Sequence, residues 1–433
     1  MLLASIPLPE PMQLMYMQLT RLSLRLMGMW PALDGSYSWL SMHWVLFAIW
    51  ASVFVGQVTY IYNNMNVLSF FDLGHCYITT LLNIQRITLP AVRVYRDLFC
   101  SFLQRFHLIH HRHRSEYAEK VRKRTDKFIS FTYMVLGQML LGATLFNFAP
   151  HTSNMRNLGM HFPAPPSVRY QMSIYYWLPF DYQGSTIAFI TVSIFNLVLS
   201  YWVGFCVCMV DLYLSLLVFH CWGHFKILNH NLNNMPLPAP IHGTEPIIYS
   251  DEESRRVQRI LKDYIDHHIL IIGFVDMCTR TFGPMLFVYA AFHQICLCIL
   301  LLECSTLDLA SLSEYGLLTL ILFEQLLQVC CVFELLGLQV SWGRRELLPL
   351  AAYAAPWERM RASERRVLLL LLQRSQQPVR LRALGLVPVG VNTAASVLPV
   401  CFARPELAYL VEAVRLRPPD SWLVQASLIP SLI

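Results

Sequence analysis

Hydrophobic residues in this chain fall in long continuous runs. They follow neither the alternation of a half-buried strand nor the single stripe of a surface helix. A helix needs roughly 20 apolar residues to cross a bilayer, and runs of that order recur along the sequence. Residues 39–62, 128–149, 184–220, 269–302 and 314–340 are clear candidates. Residues 67–92 form a weaker one that carries Asp72, His75 and Arg86. The last lies within QRSQQPVRLRALGLVPVGVNTAASVL (373–398), which is interrupted by Arg374, Arg380 and Arg382 and by Pro378 and Pro388. The pattern predicts an all-α polytopic membrane protein with seven transmembrane helices. The fourth run is longer than a hydrocarbon core of about 30 Å requires. No proline or glycine-rich turn divides it, so it is read as one helix continuing into the cytoplasm.

Charge assigns the sides. Ten Lys/Arg residues separate the second and third runs, including Lys120, Arg122, Lys123, Arg124 and Lys127. Five follow the fourth run (Lys226, Arg255, Arg256, Arg259, Lys262), and six follow the sixth, from Arg344 to Arg366. The alternate connections are poor in them: 61–66 and 303–313 have none, and 150–183 has only Arg156 and Arg169. Short basic loops stay cytoplasmic. The N-terminus is therefore cytoplasmic over residues 1–38, and seven crossings leave the C-terminus extracellular. G-protein-coupled receptors face the opposite way, and their Asp/Glu-Arg-Tyr and Asn-Pro-x-x-Tyr elements are missing here. The outer segment 150–183, with FPAPPSVRYQMSIYYWLPFDYQ, has the length and Pro/Tyr content of an ordered extracellular lid.

Composition agrees. Of 433 residues 55% are hydrophobic and 14% charged, against about 25% charged in soluble domains. MLLASIPLPEPM lacks the basic start and sustained apolar core of a cleaved signal peptide, so the first span serves as its own insertion signal. No Asn-x-Ser/Thr acceptor occurs. Most of the twelve cysteines sit in apolar runs such as FCVCM (205–209) and QICLC (294–298), and read as packing residues. Neither a disulfide framework nor a cofactor or resident metal is expected, and no nucleic-acid partner.

Several groups could carry chemistry. HLIHHRHR (107–114) contains His-x-x-His-His at His107, His110 and His111, a spacing used by membrane di-iron oxidases. Such enzymes need about eight histidines in three boxes. The remaining candidates, His224/His230 and His267–His268, lack box spacing, so the segment reads as a cationic loop beside lipid headgroups. An enzyme is not expected. Asp276 and Arg280, one helical turn apart, are expected to neutralise each other. Asp211 is expected to cap a helix bundle or reach water, and Glu324 and Glu334 to form satisfied pairs between helices, with an ion or proton path as the alternative. Aromatic residues crowd the outer halves of the spans: Phe70, Phe71 and Tyr77 on the second, Phe146 on the third, Phe189 and Phe195 on the fourth. Together they would line a site for a small, apolar, volatile ligand held by dispersion and shape.

AAYAAPWERM (351–360) followed by RRVLLLLLQRSQQPVRLRALGLVPVGVNTAASVL (365–398) resembles the C-terminal signature of insect odorant receptors, closest to the moth branch that includes pheromone receptors. YYWLPFDYQ (175–183), VFHCWGHFKILNHNL (218–232) and FEQLLQVCCVFELLGLQV (323–340) resemble that branch as well. The likeness spans about residues 40–398. It implies a tuning subunit that assembles with the co-receptor Orco into a tetrameric odorant-gated cation channel in the plasma membrane of olfactory neuron dendrites. It implies a cytoplasmic anchor region over 342–384, a ligand pocket in the outer leaflet, and a pore-lining start of the seventh helix at 385–398. The gate then falls at Val389 and Thr393, with Asn392 beside them. The Pro-Trp-Glu and Gln-x-Pro-Val elements favour the odorant branch over gustatory receptors, which would form a channel without Orco. After ASVL the family pattern ends. PVCFARPELAYLVEAVRLRPPDSWLVQASLIPSLI (399–433) replaces the usual Lys-Thr-Ser and Ser-Tyr-Phe segments with prolines and Arg404, Arg415 and Arg417. An altered reading frame, a retained intron or an unusual splice product is expected there, to be checked by sequencing the transcript.

Overall fold

The computed structural model describes residues 10–27, 38–64, 93–132, 134–159, 170–182, 184–238, 248–304, 322–332 and 347–376, with a few isolated positions that include 382–383 and 387–388. The described chain is almost entirely helical. Its helices are α1 (Met15–Leu26), α2 (Ser38–Asn64), α3 (Arg93–Ser101, continued by a π turn over Phe102–Phe106), α4 (Glu116–Thr132) and α5 (Met134–Leu158). They continue with α6 (Thr186–Asn233), α7 (Asp251–Cys304), α8 (Leu322–Val332), α9 (Leu347–Ala354) and α10 (Ala362–Ser375). Among the described residues, α6 and the Asp251–Ile295 part of α7 are long and apolar enough to cross a membrane.

The fourth apolar run is a single helix, as its lack of breakers predicts. α6 has 48 residues, about 72 Å at 1.5 Å per residue. Its two halves are packed differently. Near the start only one face is covered: Phe189, Val192, Asn196 and Leu199 are buried, while Ile187, Ile190, Ile194 and Val198 are exposed. Water penalises such an apolar stripe and hydrocarbon does not. From Cys208 to Cys221 every position is buried, as expected of a helix enclosed on all sides. α1, α4, α5, α7 and α9 all pack against α6. Its lower half, with Tyr95 and Phe99 of α3 and Phe274 and Phe282 of α7, forms the main core.

Close approach is sharpest at Gly223. A Cβ added there would meet Leu108 Cδ1 at 2.6 Å, and because Leu108 is itself buried, its side chain must shift within a packed core. Gly223→Val is expected to cost roughly 1–3 kcal/mol through overpacking, read as a lower melting midpoint of the detergent-solubilised chain. Gly273, with nothing within 4 Å of its added Cβ, should accept alanine without loss.

α7 starts well upstream of the predicted span at 269. Ser250 and Glu253 form a reciprocal cap: Glu253 Oε2 accepts from the Ser250 backbone N–H at 2.9 Å, and Ser250 Oγ accepts from the Glu253 N–H at 3.4 Å. Asp251, Glu252 and Glu253 add negative charge to the first turn, which favours the helix dipole. The turn around Trp357–Arg359 docks here. The Tyr249 N–H donates to the Arg359 carbonyl at 3.1 Å, and Arg361 pairs with Asp251. Buried Glu364 of α10 accepts from the Arg361 N–H at 2.9 Å and from the Ser254 hydroxyl.

The third apolar run is helical throughout its described residues, in α4 and α5, and α5 continues through Pro150 to Leu158. Residues 150–158, predicted as lid, are thus helical, and the helix stops before Gly159 at φ 51°, the left-handed conformation that favours glycine as a cap. The all-α expectation holds for the described residues, apart from one short pairing in which Arg382–Ala383 runs antiparallel to Val387–Pro388. Pro388 has no N–H to donate to a helix, which locally favours extended chain.

Candidate functional site

The non-helical segment 170–182 is tied down residue by residue. Asn154 clasps Gln171, its Nδ2 donating to the Gln171 carbonyl at 2.8 Å and its Oδ1 accepting the Gln171 N–H at 2.9 Å. Ser173 Oγ donates to Asn147 Oδ1 at 2.8 Å, and Asn196 Nδ2 donates to the Ile174 carbonyl at 3.1 Å. The Trp177 N–H reaches the Gly56 carbonyl at 2.9 Å, where a Cβ on Gly56 would lie 3.5 Å from Tyr176 Cβ. Tyr175 stacks on Tyr60 of α2, with centroids 5.6 Å apart. Polar side chains on α5 and α6 thus satisfy backbone groups that the segment would otherwise bury unpaired.

Between α5 and α6 lies a cavity of about 400 Å³, open on the side of the exposed Phe148, Ile190 and Ile194 and within the size range of small-molecule sites. α5 contributes Asn147, Phe148 and His151 to its wall. α6 contributes Thr186, Phe189, Ile190, Ser193, Ile194 and Leu197, one helical stripe at i, i+3, i+4, i+7, i+8 and i+11. Phe189 is fixed edge-on to both Tyr170 and His151, each with its centroid 5.8 Å away. The wall is almost wholly apolar, with Asn147, His151, Thr186 and Ser193 as its polar side chains. Asn147 is itself engaged: its Nδ2 donates to the Ala143 carbonyl at 2.8 Å, and its Oδ1 also accepts from Ser200 Oγ at 3.3 Å.

Of the aromatic residues predicted to bind ligand, Phe189 lines this cavity. Phe195 lies off its wall, 45% exposed, with an edge contact to Tyr176. Phe146, half-buried on α5, is not part of the wall. Phe70, Phe71 and Tyr77, and the gate residues Val389, Asn392 and Thr393, lie outside the described residues. Helical periodicity was the signal for the rest: Phe189 and Phe195, six residues apart, fall on different faces, whereas Ser193 and Leu197 continue the Phe189 stripe.

At the other end of α6 is a cluster of buried imidazoles. His107 accepts the Ile109 N–H on Nδ1 at 3.1 Å, which leaves Nε2–H to donate to Tyr16 OH at 2.9 Å. Burial, followed by the neighbouring His220 ring, keeps His107 well below the ordinary imidazole range. His111, His224 and His267 come from three different elements, and one ring nitrogen of each lies within 4.8 Å of the others. Among the other groups singled out, Asp276 and Arg280 pair at 2.6 Å. Asp211 is buried and accepts from Gln325 Nε2 of α8 at 3.2 Å. Glu324 is exposed on α8, and Glu334 lies outside the described residues.

Comparison with known proteins places the fold. It is similar to the insect olfactory receptor OR5 from Machilis hrabei, with a TM-score of 0.66 and 12% identity over 93% of this chain and 98% of that one. The complex of that receptor with eugenol matches with a TM-score of 0.62 and 14% identity, over 92% and 97%. At this identity the likeness concerns the fold. No curated protein sequence matches the chain. A family model for the 7tm odorant receptors matches residues 66–402. Since that match covers most of its length, the chain belongs to the odorant receptor family and is a membrane protein.

Proposed function

We propose that this chain is the ligand-recognising subunit of an odorant-gated, non-selective cation channel formed with the co-receptor Orco. The observation that carries the proposal is the family match over residues 66–402. The apolar cavity on α6 adds a plausible volume and chemistry for a small volatile ligand, and a receptor of like fold is solved in complex with eugenol. The C-terminal signature supports assignment to the moth branch, pheromone receptors included. In this reading seven helices cross the plasma membrane of the sensory dendrite, with the N-terminus inside and the C-terminus outside. Residues 150–183 then cover the outer side, 342–384 belong to the cytoplasmic anchor, and Val389, Asn392 and Thr393 face the pore. Phe70, Phe71 and Tyr77 join Phe189 near the ligand. A hydrophobic ring gates ions by dewetting, and a ligand that binds the open arrangement better shifts the population toward it.

The test is an odorant panel on cells expressing the chain with and without Orco. Odorant-evoked cation current is expected only when both are present, and it should survive blockade of G-proteins. Current without Orco would favour a gustatory-type channel. Current abolished by the blockade would overturn the channel reading.

A further inference from the structure

We infer that His111, His224 and His267 form a binding site for a divalent transition-metal ion of the zinc class, which staples α6 and α7 to the turn at 108–114. All three side chains are buried, and one ring nitrogen of each lies within 4.8 Å of the others. Hydrogen bonds set the rings for coordination. His224 Nε2 lies 2.6 Å from the Phe106 carbonyl and His111 Nε2 lies 3.0 Å from the Arg105 carbonyl. A carbonyl only accepts, so both Nε2 atoms carry the proton and both Nδ1 atoms carry the lone pair. Histidine ligands in metal sites are oriented in this way, through the ring nitrogen that does not touch the ion.

The third ring closes the set. His267 Nε2 lies 2.9 Å from His224 Nδ1, a hydrogen bond in which His267 must be the donor. In a tetrahedral zinc site with Zn–N near 2.0–2.1 Å, two nitrogens stand about 3.3 Å apart. The pair therefore needs to open by only a few tenths of an ångström, and the proton displaced from His267 Nε2 moves to that ring's Nδ1. The rings lie close together: His111 and His224 meet edge-on at 4.7 Å, His224 and His267 edge-on at 5.1 Å, and His111 and His267 stack at 5.7 Å. Phe106, whose ring lies 4.4 Å from that of His224 and 3.7 Å from that of Phe274, walls the cluster on one side. Three imidazoles suit zinc, copper or nickel. They leave a fourth position for water or an anion such as chloride, whose charge would offset that of the ion.

The experiment uses the full chain, purified through a peptide epitope instead of a polyhistidine tag, stripped by chelator and titrated with Co²⁺. One Co²⁺ per chain with tetrahedral d–d absorption is expected, displaced by Zn²⁺, together with a Zn²⁺-dependent rise in melting midpoint that chelator reverses. His111→Gln and His224→Gln should each weaken binding by at least about 100-fold. His230→Gln, whose ring stacks on Tyr117, should leave binding unchanged. Should the variants fail to fold, X-ray absorption on the zinc-loaded natural chain decides, with three imidazoles expected in the coordination shell. No Co²⁺ uptake by monodisperse chain, undiminished binding in both variants, or a shell with fewer imidazoles or with sulfur would each overturn the site.

Discussion

Ser193→Trp is expected to lower odorant sensitivity by about 100-fold while surface expression is maintained, a loss of about 2.7 kcal/mol of binding. Ser193 faces the cavity from the middle of the α6 stripe, and its hydroxyl is turned back to the Phe189 carbonyl at 2.8 Å. An indole at this position would fill roughly a third of a cavity of about 400 Å³, removing the space a ligand needs without exposing a buried polar group. The concentration–response curve of Orco-coexpressing cells is the measurement. Phe195→Ala, off the cavity wall, should shift that curve by no more than about threefold. A Ser193→Trp receptor with unchanged sensitivity would move the ligand to another site.

Glu364→Ala is expected to destabilise the chain by roughly 2–4 kcal/mol. The buried carboxylate caps α10 through the Arg361 N–H and accepts the Ser254 hydroxyl near the start of α7. Truncation leaves the buried Ser254 hydroxyl and the N-terminal N–H of α10 without their acceptor and unlatches the Trp357–Arg359 turn from α7. The melting midpoint of the solubilised chain should fall by several degrees. Glu364→Gln, which keeps one acceptor oxygen, should lose about half as much. Exposed Glu358 is the control, and its alanine variant should melt with the parent. Equal midpoints for the Glu358 and Glu364 alanine variants would refute the latch.

Much of the fold is legible because long helices announce themselves by uninterrupted apolar sequence. α6 is the clearest instance: nothing between 184 and 220 breaks a helix, and the structure carries it to Asn233. The start of α7 is harder to see, since DEESRRVQRILKDYIDHH is too polar to resemble a span. Its helicity rests on the Ser250–Glu253 cap and on one buried face through Val257 and Leu261. The Asp276–Arg280 pair is legible from spacing alone. The cavity was half legible. Gathering aromatic residues found Phe189, but following its helical stripe would also have reached Ser193 and Leu197 and left Phe195 aside. The imidazole cluster was not legible from spacing. Its members stand at 111, 224 and 267, and metal-box patterns are sought within one segment. Only the packing of α6 against α7 and the 108–114 turn brings them together.

The unbroken course of α6 has a mechanical consequence. Ser193 and His224 lie on one rod, 31 residues and about 46 Å apart along its axis. A rod of that length is a lever. A tilt of about 2° that makes room for a guest at the upper end sweeps the lower end through roughly 1.6 Å, comparable to the helix shifts that switch packed interfaces. The displacement arrives where the helix is gripped on every side, so a small wedge at one end becomes a push on the whole inner bundle, with no hinge between.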